Sequence, residues 1–172
     1  MYKLGDNVVY GSNGVMTVVD IRDEEIGDAT RSYYVLETTS GYKGSLIFVP
    51  VDNEMLVGAM RPLLSRDEIL RLIDNMDSIP EAEWISDNRL RAESFKRVLE
   101  SGVREDVVSV IKAIVASGVR RGEEGKKIFL SDETAMRKAE HVLYSEFACV
   151  LGIAEDAVGE FIASRREKPG CV

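Results

Sequence analysis

Histidine and cysteine, the side chains on which many catalytic and metal sites depend, are scarce in this sequence. Its 172 residues include one histidine, His141, and two cysteines, Cys149 and Cys171. The cysteines form no CxxC pair and have no histidine cluster beside them, which excludes the usual zinc-site patterns. We therefore expect free thiols in a reducing compartment. His141 lies among apolar neighbours in a predicted helix, where a packed or surface role is more common than that of a catalytic base or ligand.

Long apolar segments are also lacking. No apolar run is long enough to span a bilayer, and the N-terminus, Met1–Asp6, has no apolar core of the kind that signal peptides carry. Hydrophobic residues make up 45% of the sequence and charged residues 30%, a composition typical of soluble globular proteins. The sequence therefore predicts a cytoplasmic protein with no membrane partner.

Motifs of known enzyme classes are missing as well. The segment Gly122–Lys127 resembles a phosphate-binding loop only superficially, because its glycines are too close together and a second lysine replaces the magnesium-binding Ser or Thr. The acidic pairs Glu24-Glu25 and Glu123-Glu124 are predicted to be solvated loop charges rather than a metal site. We expect no enzymatic activity, no cofactor, no metal and no small-molecule substrate.

The distribution of charge bears on nucleic-acid binding. The net charge of −8 argues against a protein that binds DNA unaided. The segment Trp84–Lys127, however, holds ten Lys/Arg against seven Asp/Glu, a net of +3, while the remainder holds twelve against twenty-three, a net of −11. Such a protein is able to touch DNA if another molecule brings it there.

Residues 1–64 have the pattern of a small β module. Apolar residues alternate over Lys3–Tyr10, and Ser12-Asn13-Gly14 is a turn signal. Further strands are predicted over Val15–Ile21, Ser32–Thr39 and Ser45–Pro50, with an acidic loop over Asp23–Asp28 and a turn over residues 40–44. Short strands at this spacing predict an antiparallel β-barrel of the SH3 or Tudor type, which Gly58–Leu64 either closes or links onward.

The pattern changes to helical at Ser65. Ser65-Arg66-Asp67-Glu68 is a capping box, and the helix that it starts is expected to end before Pro80. Later helices are predicted from a Ser86 cap to Gly102, over residues 104–118, from Ser131 to Gly152 and over Ala154–Ser164, with a charged loop over Gly118–Lys127. The predicted fold class is α+β, with a β-barrel domain over residues 1–64 and an all-α domain over residues 65–172.

Trp84, the single tryptophan, precedes a helix that carries Arg89 and Arg91. A flat apolar ring beside guanidinium groups is able to press against a base step while the cations hold phosphates. The alternative is that a lone tryptophan packs in a core or between domains, and the exposure of the ring separates the two. Arg89 and Arg91 diverge by roughly 200° on a helix, so we expect one to face DNA and the other to bridge to Asp87 or the β module.

Seven segments together resemble the CarD/CdnL family of transcription regulators: Lys3–Tyr10, Asn13–Val15, Tyr34–Leu36, Val49–Asn53, Trp84–Arg91, Leu99–Gly102 and Ala139–Ala148. The family's N-terminal module also occurs in transcription-repair coupling factors. This sequence carries no helicase motor, which favours CarD/CdnL over the coupling factors.

The resemblance implies that the β module docks on the RNA polymerase β subunit by strand pairing, through Ile21–Ile26 or Ser45–Val49. Several family members place arginines on these strands, whereas this sequence is acidic after Arg22 and has an aromatic ring before Val49, so backbone pairing and apolar packing are expected to carry more of the contact. The candidate polymerase-binding residues are Arg22, Glu24, Ile26, Ile47, Phe48 and Pro50.

The resemblance also implies that the helical half contacts upstream promoter DNA without sequence specificity and stabilises the open complex. Trp84 would wedge into the minor groove while basic residues hold the backbone. The candidate DNA-binding residues are Trp84, Arg89, Arg91, Lys126 and Lys127, with Arg137 and Lys138 as further candidates for the distal contact. The alternative is a protein-interaction adaptor that uses the β module and makes no DNA contact. The sequence leaves open activation or repression, target promoters and oligomeric state.

Overall fold

The computed structural model of this chain describes residues 1–26, 29–39 and 45–167, without the side chains of residues 26 and 29. The turn predicted over residues 40–44, the end of the predicted acidic loop and Cys171 lie outside the described residues. Within the described ranges, no helix has both the length and the apolar character of a membrane span.

The N-terminal part is an antiparallel sheet of five strands in the order β4-β3-β2-β1-β5. The strands are β1 (Asn7–Tyr10), β2 (Val15–Ile26), β3 (Ala29–Thr38), β4 (Leu46–Pro50) and β5 (Met60–Pro62). Because alternate residues of a strand point to the same face, one face collects the core of this module, namely Val8, Met16, Val18, Tyr34, Leu36, Val49 and Met60.

The predicted α+β class is confirmed, but the prediction of a closed barrel is wrong. The two outer strands, β4 and β5, do not pair with each other in the described part of the chain. Helix α1 (Glu54–Gly58) lies between them in sequence and contacts both. It packs Leu56 and Val57 against the sheet's core, and the side chain of Asn53 caps it by accepting from Leu56 N at 3.1 Å. This helix covers the open end of the sheet that pairing would otherwise close.

The described part of the acidic segment that the sequence predicts as a loop, residues 23–26, is instead part of β2. Asp23 and Glu24 pair in register with Ser32 and Arg31 of β3. Arg22 Nε lies 2.7 Å from Glu24 Oε1 on the same strand, which offsets the crowding of like charges. Cross-strand and neighbouring polar partners therefore keep a run of carboxylates in strand geometry despite its low β propensity.

Five longer helices follow the sheet: α2 (Arg66–Asn75), α3 (Asn88–Ser101), α4 (Arg104–Glu123), α5 (Leu130–Leu151) and α6 (Val158–Glu167). The capping box of Ser65 and Glu68 is confirmed. Gly102 and Gly152 end α3 and α5 in the left-handed conformation, as predicted, with φ of 65° and 70°.

Several helix boundaries differ from the prediction, including the start of α6 at Val158 rather than at Ala154. Asp87 rather than Ser86 caps α3, because its carboxylate accepts from Arg89 N and Leu90 N, each at 2.9 Å. Helix α2 ends at Asn75, and a short 3₁₀ turn, Met76–Ser78, precedes Pro80. Helix α4 continues into the predicted loop and ends at Glu123, since glycine costs a helix only about 1 kcal/mol and the preceding turns of this helix bury one side as far as Ser117.

The sheet and the helices share a buried contact centred on α5. Val9 and Val15 of the sheet pack with Val142 of α5. Gly14, at φ +72°, lies so close to α5 that an added Cβ would be 2.5 Å from Ser145 Oγ. The turn predicted at Ser12-Asn13-Gly14 thus needs glycine both for its backbone conformation and for its close approach to α5.

An ion pair lies where the chain passes from the sheet to the helices. Glu146 is fully buried, and its carboxylate accepts from Leu64 N at 2.8 Å and from Arg104 Nε at 3.0 Å. Arg104 Nη2 also donates to the carbonyl of Pro62 at 3.0 Å. The connection near residue 64 is thereby fastened to α4 and α5, while the division into domains at that residue stays a prediction.

Candidate nucleic-acid and polymerase interfaces

Trp84 lies in the extended segment that leads into α3, and its ring is half-buried. One contact is edge-on with Phe95, at 6.3 Å between ring centroids and an interplanar angle of 62°. The guanidinium carbon of Arg91 lies 4.2 Å from the centroid of the indole. The ring is therefore seated on the helical core, and part of it remains open to solvent.

Arg91 does not have the exposed position predicted for a DNA-binding residue. Its side chain is fully buried, with Nε 3.0 Å from Asp132 Oδ1 and Nη2 2.9 Å from Asp132 Oδ2. The predicted DNA contact of Arg91 does not fit this position, because its charge is neutralised inside the molecule. Of the two arginines expected to diverge, Arg91 is the inward one, and its partner is Asp132 of α5 instead of Asp87 or the β module.

Four side chains form an alternating stack of aromatic rings and guanidinium groups, which we call the arginine–aromatic stack: Trp84, Arg91, Phe129 and Arg121. The guanidinium carbon of Arg91 is 5.4 Å from the centroid of Phe129, and that of Arg121 is 3.8 Å from the same ring. Arg121 Nε also donates to the carbonyl of Lys127 at 2.7 Å. The stack thus connects Trp84 to the turn that carries Lys126 and Lys127.

The remaining candidate cations differ in how far they are already paired. Arg89 and Lys127 are exposed and have no ion-pair partner among the described residues. Lys126 Nζ lies 2.7 Å from Glu124 Oε2, and this hydrogen bond, with the lysine charge, lowers the pKa of Glu124. Arg89 and Lys127 are consequently more available to a phosphate than Lys126.

The two further candidates on α5, Arg137 and Lys138, also differ in whether they have an ion-pair partner. Arg137 Nη2 lies 2.6 Å from Glu133 Oε1, one turn away on the same helix. Lys138 is exposed and has no ion-pair partner in the part of the chain that the structure describes. Lys138 is therefore the stronger distal candidate of this pair.

Sequence reasoning missed Phe129, Arg121 and Asp132. Arg91 and Asp132 are 41 residues apart, and no local pattern marks such a pairing. The one available signal was an acidic residue at the start of a predicted helix, which also has an ordinary explanation in the helix dipole.

The second face of the sheet carries the predicted polymerase-binding residues Arg22 and Phe48. The register places Arg22 opposite Tyr33 and Phe48 opposite Val35. The ring of Phe48 meets Tyr33 edge-on at 6.3 Å between centroids, and the guanidinium carbon of Arg22 lies 5.2 Å from the centroid of Phe48. Phe48 is 40% exposed, so this face presents an apolar ring beside a cation.

Both predicted docking strands have an open edge within the described residues. Strand β4 pairs with β3 alone. Val51 N donates to the carbonyl of Ser32 at 2.9 Å, so the alternation of an antiparallel ladder turns the N–H groups of Leu46 and Phe48 away from β3. Pro50 falls at an outward position too, where the lack of a donor does not interrupt the pairing with β3.

The outer half of β2 is the second open edge. On one side of β2, Asp20–Ile26 pairs with β3. On the other side, backbone pairing within the described residues extends along β2 only as far as Val18, which exchanges backbone hydrogen bonds with Gly5 and Asp6. Glu24 is half-buried on this segment, whereas the side chain of Ile26 is outside the described set. Ile47, by contrast, packs against the sheet's core and does not belong to the exposed face.

His141 and Cys149 are the histidine and the cysteine that lie within the described residues. His141 of α5 is half-buried, with Nδ1 2.8 Å from Glu155 Oε1 and Nε2 3.2 Å from the carbonyl of Asn13, so it links α5 to Glu155 and to the first turn of the sheet. Burial, and then the charge of Glu146, raise the pKa of the Cys149 thiol, which is the opposite of nucleophile activation. Among the described residues, no group of His, Cys, Asp and Glu is arranged to hold a metal ion.

Comparison with known proteins agrees with the resemblance read from the sequence. Residues 2–64 match the sequence model of the CarD-like/TRCF RID domain. Over 164 residues the chain is 21% identical to the "Putative transcription factor YdeB" of Bacillus subtilis (strain 168), an alignment that covers 94% of this chain and 99% of that protein. The predicted resemblance to the CarD/CdnL family is confirmed to this extent: residues 2–64 are similar to the CarD-like/TRCF RID domain, and the chain along most of its length is similar to a putative transcription factor.

Proposed function

We propose that this protein is a non-enzymatic transcription regulator that docks on the RNA polymerase β subunit and contacts upstream promoter DNA to stabilise the open complex. The observation that carries the proposal is the match of residues 2–64 to the CarD-like/TRCF RID domain. In this proposal the protein works in the cytoplasm, at the nucleoid, wherever polymerase holds it.

The sheet supports docking by strand addition. The open edge of β4 offers the outward N–H groups of Leu46 and Phe48, and main-chain hydrogen bonds of this kind supply affinity when a partner adds a strand. The exposed ring of Phe48 and the guanidinium of Arg22 lie on the same face. A partner strand is therefore able to gain both backbone pairing and an apolar contact.

The helical half supports a second contact, with DNA. Trp84 keeps part of its ring open, and Arg89 and Lys127 are exposed without ion-pair partners in the described chain. With a net charge of −8, the protein binds free DNA weakly, because phosphate contacts dominate that affinity. Docking on polymerase supplies a high effective concentration beside the promoter, and an opening duplex lowers the cost of wedging a ring between bases.

Two measurements test the proposal. The chain, mixed with purified RNA polymerase, is expected to co-purify with it through the β subunit. On a promoter that forms an unstable open complex, its addition is expected to lengthen the lifetime of that complex. Failure to bind polymerase would reject the docking step, and binding with an unchanged lifetime would reject the DNA step alone.

The second candidate is an adaptor that binds polymerase or another protein through the sheet and leaves DNA untouched. The contact of Trp84 with Phe95 favours it, since a ring seated on the core also acts as an anchor. Crosslinking from position 84 to promoter DNA in the polymerase complex separates the candidates, because an adaptor gives no such crosslink.

A further inference from the structure

Arg91 is among the largest fully buried side chains of the described chain. A buried cation is strongly unfavourable unless a partner neutralises it. Asp132, itself fully buried, supplies this partner with two oxygens: Arg91 Nε donates to Oδ1 at 3.0 Å and Nη2 donates to Oδ2 at 2.9 Å. The fork-to-fork geometry fixes the plane of the guanidinium group.

The other donors of Arg91 hold the segment around Trp84. Nη1 donates to the carbonyl of Ile85 at 2.7 Å, the residue directly after the tryptophan. Nη2 donates to Asn88 Oδ1 at 2.8 Å in the first turn of α3. The same guanidinium group lies 4.2 Å from the indole centroid. One side chain therefore constrains both the backbone beside Trp84 and the face of its ring.

We infer that Arg91, held by Asp132, is a positioning residue for Trp84: it sets the orientation in which the indole is presented to DNA and does not contact DNA itself. This inference rests on the proposed function. Arg91 thereby has a role different from that of Arg89, which in the proposed function contacts DNA phosphate. Asp132, a residue of another helix, is likewise part of the buried support that positions Trp84.

The charge of the pair separates this role from phosphate binding. Arg91 and Asp132 together are neutral and buried, so they release no counterion when DNA binds. A cationic side chain that contacts a DNA phosphate, by contrast, contributes about one charge to the salt dependence of binding. A purely structural pair would affect thermal unfolding, yet it would leave the motion of the Trp84 ring in the folded protein unchanged.

The principal variant is Arg91→Met with Asp132→Leu, which removes both charges together. Replacing a buried ion pair by apolar side chains of similar size is tolerated far better than removing one partner. Arg91→Lys keeps the charge but loses the fork that reaches Asp132, Ile85 and Asn88 at once. Trp84→Ala and Arg89→Gln serve as reference variants. Because Trp84 is the sole tryptophan, its fluorescence anisotropy reports the motion of this one ring.

We expect the folded double variant to show lower Trp84 anisotropy than the wild type. Its open-complex lifetime should also be shorter, and the change in the logarithm of the lifetime should be at least half of the change that Trp84→Ala causes. The salt dependence of the lifetime should stay that of the wild type, whereas Arg89→Gln should reduce it by about one charge. Arg91→Lys should fall between the wild type and the double variant in both anisotropy and lifetime.

Three results would overturn the inference: wild-type anisotropy in the folded double variant, a wild-type lifetime while Trp84→Ala shortens it, or a salt dependence reduced as in Arg89→Gln. An unchanged lifetime in Trp84→Ala would instead reject the proposed DNA contact. In that case the anisotropy alone decides whether Arg91 positions the ring.

Discussion

At the scale of single residues, Trp84 combines two properties that the sequence presents as alternatives, namely packing on the core and exposure to solvent. Its ring is seated against Phe95 and Arg91, as an anchor would be, and it is also partly open, as a DNA wedge would be. Seating on the core limits the freedom of the ring, which reduces the entropy that an ordered contact with DNA would cost.

Substitution of Trp84 separates stability from function. We expect Trp84→Ala to fold and bind polymerase, with a loss of about 1–2 kcal/mol in unfolding free energy because the ring is only half-buried, and to lose most of the open-complex stabilisation. Trp84→Phe should retain part of it. Thermal unfolding beside an open-complex decay assay measures both. A large drop in melting temperature with wild-type decay in the folded fraction would contradict the wedge.

Arg89 provides a prediction about salt. Arg89→Gln should weaken DNA contact by a similar factor on all promoters and lower the salt slope of the open-complex lifetime by about one charge. Arg137→Gln is the matched control, because Arg137 already pairs with Glu133 and should change the slope little. Loss confined to promoters with particular base pairs would indicate direct base readout instead.

At the scale of elements, β4 is the strand whose geometry makes the docking step testable. Phe48→Pro removes an N–H group that points away from β3, so the sheet should remain intact while the partner strand loses a donor. We expect polymerase binding to fall well below that of Phe48→Ala, which lacks the ring but keeps the donor.

The control for this experiment is Ile47→Pro, which removes a donor facing β3. It should destabilise the sheet in thermal unfolding, whereas Phe48→Pro should not. Equal polymerase binding by Phe48→Pro and Phe48→Ala would assign docking to the open edge of β2 instead.

The elements also show what the sequence was able to predict. Local signals succeeded where the physics is local: the Ser65 capping box and the left-handed glycines Gly102 and Gly152 are as expected. They failed where contacts between residues distant in sequence determine the structure, as in the burial of Arg91 against Asp132. They failed again where α1 covers the gap between β4 and β5, since a covered sheet and a closed barrel have the same strand pattern.

At the scale of the whole molecule, the ion pair of half-buried Arg104 and fully buried Glu146 joins the sheet's last strand to α4 and α5. If the sheet binds polymerase and the helices touch DNA, this junction sets the distance and angle between the two contacts. A change at the junction is then able to disturb DNA contact without altering any residue that touches DNA.

The junction yields a prediction of stability. Arg104→Met leaves Glu146 buried without its cation and should reduce the unfolding free energy by about 3–5 kcal/mol. The double variant, with Glu146→Leu added, should recover much of that loss, although Leu64 N then lacks its acceptor. Chemical denaturation measures both. A loss below 1 kcal/mol for Arg104→Met, within the range of about 0–1 kcal/mol typical of surface pairs, would show that the pair is dispensable.

The open edge of β2 also determines which molecules can pair with this sheet. Asp20, Asp23, Glu24 and Glu25 place four carboxylates beside the single cation Arg22 along that edge. A second copy of the chain approaching in the same way would set these acids against one another, and like charges on adjoining strands repel. This repulsion disfavours self-assembly into fibres through the edge of β2, while the edge stays accessible to a strand of opposite charge.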